Sequence, residues 1–123
     1  MDLLLYIGSV IILLWGIAHI IATRPIVNGF DSISEDNRKI LIMEVAAEGV
    51  TLCFIGLLVL LVTALAGSGS QAALIVYIAS AVMLLAIAAL TTLTGARTSV
   101  LPYKLCPVIK TMVAILFILG SLL

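Results

Sequence analysis

Residues 40–51, ILIMEVAAEGVT, place two carboxylates, Glu44 and Glu48, four residues apart inside an apolar run that continues to Ala66. The run is continuous rather than alternating, which argues for a helix and against a half-buried strand. On a helix a four-residue step stacks both carboxylates on one face, with Thr51 continuing the row. A charged group within a bilayer costs about 3 kcal/mol or more unless it is paired, hydrated or protonated. The stretch therefore predicts both a membrane span and a functional site.

Three similar runs surround it. Apolar segments at 3–23, 40–66, 72–94 and 105–123 each approach the ~20 residues a helix needs to cross a ~30 Å hydrocarbon layer. The chain is 64% hydrophobic and 10% charged, with a mean hydropathy of +1.41, which excludes an ordinary soluble domain. These features predict an all-α integral membrane protein, a single domain over 1–123. Its architecture would be a four-transmembrane-helix bundle of two antiparallel helical hairpins. No basic segment precedes the first run, so that span is expected to be retained rather than cleaved as a signal peptide. Net charge is zero and no basic surface exists, which argues against nucleic-acid binding. Cys53 lies deep in the second run and Cys106 at the boundary before the fourth. About 13 residues of helix, or ~20 Å, separate Cys53 from its membrane entry, so both are expected to be free thiols.

All six basic residues fall in or beside two loops, 24–39 (Arg24, Arg38, Lys39) and 95–107 (Arg97, Lys104, with Lys110 just beyond). The positive-inside rule places both loops in the cytoplasm and both termini outside, in a multi-pass protein of the plasma membrane. Arg97 and Lys104 are placed to meet anionic lipid headgroups. Pro25 is expected to stop the first helix. Residues 32–35, SISE, fit a capping box with Ser32 as N-cap and Glu35 as its partner. The turn at 67–71, GSGSQ, should fold the second and third spans against each other. Ala46, Gly49, Cys53 and Gly56 recur at helical spacing, a row that suits close helix contact and a possible homodimer interface. The last span is short if it starts after Pro107, so either the helix begins earlier or the bilayer thins.

Polar residues concentrate in the cytoplasmic half. Counting inward from the basic residues, His19, Glu44 and Thr92 each lie five positions from Arg24, Lys39 and Arg97, or ~7–8 Å. Trp15 and Glu48 lie one turn deeper, and Lys110 enters from the fourth span. The outer half offers only Ser9, Thr63, Tyr77 and Ser80. His19 and Glu44 are placed for a charge-assisted pair, while Lys110 either reaches a glutamate or snorkels to headgroups. The candidate ligand- or proton-binding residues are thus Glu48, Glu44, His19, Trp15, Thr51, Thr92 and Lys110. Histidine titrates near neutrality, which suits a proton-linked site. The plainer reading makes Glu and His locks between helices, Trp15 packing, and the threonines back-bonded to their own helices.

His19, Glu44 and Glu48 would supply N/O ligands for a metal. Both glutamates come from one helix, however, without the ExxH motif of di-iron bundles, so no metal or cofactor is expected. No nucleophile–base spacing, HExxH or phosphate loop is present, and no enzymatic activity is assigned. In general layout, four spans with a carboxylate early in the second, the chain resembles the DoxX-like bacterial membrane proteins. That likeness covers layout alone and implies no activity or site residue. The sequence thus predicts a cytoplasm-facing intramembrane pocket for a cation, proton or small amphiphile, with transport as its natural use. The alternatives are a non-catalytic assembly subunit and a membrane-embedded metal or redox protein.

Overall fold

A computed structural model describes residues 2–123. Four helices account for nearly all of them: α1 (Asp2–Asn28), α2 (Glu35–Leu61, extended by a π-helical turn Val62–Ala66), α3 (Gln71–Leu93) and α4 (Leu101–Leu122). No strand occurs among the described residues. All four helices are long and apolar enough to cross a membrane. Large apolar side chains lie exposed on every one of them, among them Leu14, Phe54, Ile75, Leu90 and Leu119. An aqueous surface of this kind would be costly, whereas lipid tails solvate it without penalty.

The helix ends correct two expectations. Pro25 does not stop α1, which runs on to Asn28. Proline forfeits one hydrogen bond, but its own carbonyl still accepts from Gly29 N–H at 3.2 Å, so the last turn closes around it. The N-cap of α2 is Ser34 rather than Ser32: its hydroxyl accepts from Asn37 N–H at 3.1 Å, and Glu35 and Asp36 then occupy the first turn. A cap of this kind contributes about 1 kcal/mol. α4 begins at Leu101, before Pro107, and its 22 residues span ~33 Å, so it is not short. Gly67 turns the chain after α2 with φ +79°, a conformation that favours glycine.

Packing is uneven around the bundle. α1 lies along α2, α4 lies along α1, and α3 lies along α4, whereas α2 and α3 touch little despite their short connection. Glycines make the α1–α2 contact close. A methyl group at Gly16 would stand 2.8 Å from the backbone of both Cys53 and Gly49, and one at Gly56 would stand 2.8 Å from Ser9 O. The small-residue row of α2, offered by sequence as a dimer surface, is therefore covered by α1 of the same chain at Gly49, Cys53 and Gly56. Toward the termini, Leu5, Ile12, Leu52, Val59, Tyr77, Leu84 and Phe117 share one apolar core.

Candidate functional site

The α1–α2 register sets the site. Gly16 lies opposite Gly49 and Cys53, and Gly56 opposite Ser9 and Leu13. Arg38 accordingly donates to Asn28 Oδ1, a full turn beyond Arg24. His19 thus lies level with Glu48, not with Glu44. Gly49 permits the approach, since a side chain there would begin 3.0 Å from His19 Cβ. Counting depth from Arg24 and Lys39 misjudges the level by about a turn, because α1 continues past Arg24.

Glu48 is the hub. One carboxylate oxygen, Oε2, lies 3.2 Å from His19 Nε2, while the other, Oε1, accepts from Lys110 Nζ. Lys110 is fully buried and also donates to Thr91 Oγ1 at 3.1 Å. It does not snorkel. A lysine this deep is tolerable only because its charge meets a carboxylate at once, and losing one partner of such a pair costs about 3–5 kcal/mol. Through Glu48 and Lys110 the network links all four helices, with His19 from α1 and Thr91 from α3.

Cys106, one turn before Lys110 on α4, completes the cluster. Its Sγ lies 3.7 Å from His19 Nε2 and accepts from Trp15 Nε1–H at 3.1 Å. Trp15 and Tyr103 each set an edge against the His19 ring, with centroids 5.9 and 6.1 Å away. The His19 carbonyl is taken by Thr23 Oγ1 at 2.8 Å. No buried side-chain nitrogen or oxygen among the described residues lacks a partner. His19, Glu48 and Cys106 each offer a metal-ligating atom, all within 4.8 Å of one another.

Beside this network, the loose α2–α3 seam opens into a cavity of about 430 Å³. Its walls are Glu44, Ala47, Glu48 and Thr51 from α2, Met83, Ile87, Leu90, Thr91 and Thr94 from α3, and Gly95 and Tyr103 near the loop. This volume lies within the range that holds small organic ligands. Glu48 is 21% exposed, while Glu44 is exposed and makes no ion pair with any described residue.

The structure thus brings His19, Glu48 and Lys110 into one network and joins Trp15 to it through Cys106. It leaves Glu44 and Thr51 on the cavity wall. Thr92 stands outside the site: its side chain is exposed and back-bonded to Ala88 O at 2.8 Å, and Thr91, one residue earlier, takes the inward place. One residue is ~100° of helix, more than a depth count can resolve. Sequence reading missed Cys106, Thr91 and Tyr103 as site residues. Cys106 had a usable signal, its four-residue spacing to Lys110.

No family model matches this chain, and no curated protein or solved structure does.

Proposed function

We propose that this is a polytopic membrane protein that binds a small cationic amphiphile in the cavity between α2 and α3, with Glu44 as counter-charge. One observation carries the reading. Glu44 stands without an ion-pair partner among the described residues, on the wall of a ligand-sized and mainly apolar cleft. An amine head would sit on Glu44, within reach of the Thr51 row, while its chain lay along Met83, Ile87 and Leu90. Glu48, with both oxygens engaged, anchors the wall rather than serving as the first ligand. The positive-inside rule supports a cytoplasmic position for the basic loops, with both termini outside and the cavity in the inner half of the plasma membrane. Arg97 and Lys104, both exposed, would then face anionic headgroups. Transport of the bound cation is the natural use of such a site.

The test is thermal unfolding of the detergent-purified protein with a long-chain primary amine or the alcohol of equal length. The amine raises the wild-type midpoint, the alcohol does not, and Glu44→Gln removes the effect. Equal shifts in wild type and variant would sink the proposal.

A second reading makes the polar network helix glue in a non-catalytic assembly subunit, and the complete pairing of its buried groups favours it. It predicts that Glu48→Gln lowers the midpoint while no amine changes it in either protein.

A further inference from the structure

We propose that His19 Nε2, Glu48 Oε2 and Cys106 Sγ form a binding site for a thiophilic d¹⁰ metal ion, Zn²⁺ or Cu⁺. Its three ligand atoms lie outside the amine reading's contacts, and only the charge balance for Zn²⁺ draws on Glu44, so metal retention tests it separately from amine binding.

The geometry is the first support. With metal–nitrogen and metal–oxygen bonds of about 2.1 Å and a metal–sulfur bond of about 2.3 Å, tetrahedral ligands stand roughly 3.4 Å (N···O) and 3.6 Å (N···S) apart. The structure has 3.2 Å between His19 Nε2 and Glu48 Oε2, and 3.7 Å between His19 Nε2 and Cys106 Sγ. Two edges of the ligand triangle thus already match, and the third lies within 4.8 Å. The ligands come from three helices, so the site is set by packing rather than by one flexible segment.

The surroundings are the second support. Metal-bound thiolates and carboxylates are held by outer donors, and their loss typically costs about 10–100-fold in affinity. Here Trp15 Nε1–H points at Cys106 Sγ from 3.1 Å, and Lys110 holds the Glu48 oxygen that faces away from His19. Charge agrees as well. A thiolate and a carboxylate beside one ammonium leave a single net negative charge, which Cu⁺ neutralises. With Zn²⁺ the exposed carboxylate of Glu44, one turn away on the same helix face, completes the balance. Sulfur in the set favours these soft and borderline ions over Mg²⁺ or Ca²⁺. Glu48, alone of the three ligands, also lines the α2–α3 cavity, which brings an entry path as far as its side chain.

The test is metal retention by the reduced, detergent-purified protein. Samples are loaded with Zn²⁺, or with Cu⁺ under reductant, then desalted and assayed for metal per chain. One ion per chain is expected, and which ion is retained identifies the site as a zinc or a copper site. Cys106→Ser should lower the affinity by roughly tenfold or more, at least the cost of losing an outer donor. Should that variant fail to fold, Co²⁺ added to wild type and to Cys53→Ser decides. Both should show thiolate-to-cobalt charge-transfer absorption, because Cys53 lies half-buried against Leu13 O, outside the cluster. The proposal is overturned if wild type retains neither ion, if Cys106→Ser binds as well as wild type, or if Co²⁺ gives no such band.

Discussion

The two faces of α2 contrast. Toward α1 the helix is closed: Gly49 and Gly56 bring backbones so near that an added methyl group would stand within 2.9 Å of a backbone oxygen. Toward α3 it is open, and a cavity lies where side chains would otherwise interdigitate. In lipid no hydrophobic force draws helices together, so close contact depends on small residues and polar bonds. The face that has glycines closes. The face that has Glu44, Ala47 and Thr51 does not, and Glu48 stands on the edge between them, bonded to α1 and α4.

The largest way to break this arrangement is to remove Lys110. Lys110→Met leaves Glu48 half-paired in the interior and should destabilise the protein by about 3–5 kcal/mol, read from denaturation in detergent. Replacing both partners, Lys110→Met with Glu48→Leu, should recover much of the loss, since the unpaired charge then disappears. A double variant no better than the single one would show that the unpaired Glu48 charge is not the source of the loss.

Closing the contrast from the other side is smaller. Gly49→Ala places a methyl group 2.9 Å from Gly16 O and 2.7 Å from Ile20 Cγ1, forcing α1 and α2 apart at a cost of about 1–3 kcal/mol. The same change at Gly69, which has no neighbour within 4 Å, is the control and should show no such steric penalty. Smaller again is the hydrogen bond that pins the far end of the α2–α3 seam. Thr63 Oγ1 and Tyr77 OH lie 2.8 Å apart, and Tyr77→Phe should cost about 1 kcal/mol, measured as a lowered unfolding midpoint. Glu44→Gln sits at the bottom of the scale. An exposed group without a partner should change stability by less than about 0.5 kcal/mol, so any loss of amine response there reports binding rather than folding.

Much of the fold is legible because a helix fit to cross a membrane obeys a simple rule: it must be long, apolar and able to satisfy its own backbone. The four runs, the contact made by Gly49 and Gly56, and the marking of Glu48 as a polar residue in an apolar run all follow from it. Register does not. Whether His19 meets Glu44 or Glu48 depends on how far α1 continues past Pro25, and a proline near a helix end does not decide that. Facing is equally hidden where neighbours share chemistry, and Thr91 and Thr92 look alike until packing chooses one. Lys110 shows the same limit, because a long cation near an interface fits snorkelling and a buried pair equally well. Cys106 carries no charge to be accounted for, and its four-residue spacing to Lys110 is its one signal in the sequence. Its place beside His19 arises only when α1 and α4 pack together.

The most direct test of the open face is a cysteine placed in it. Ala47 is exposed on the cavity wall, whereas Cys106 is buried and Cys53 half-buried, so Ala47→Cys introduces a distinct reactive thiol. In protein reconstituted into lipid nanodiscs, a water-soluble maleimide should label it faster than either native cysteine. A long-chain primary amine should slow that labelling when Glu44 is present and leave it unchanged in the Glu44→Gln background. A residue 47 thiol that does not react, or that reacts at one rate with and without the amine, would contradict an open, cation-binding cavity between α2 and α3.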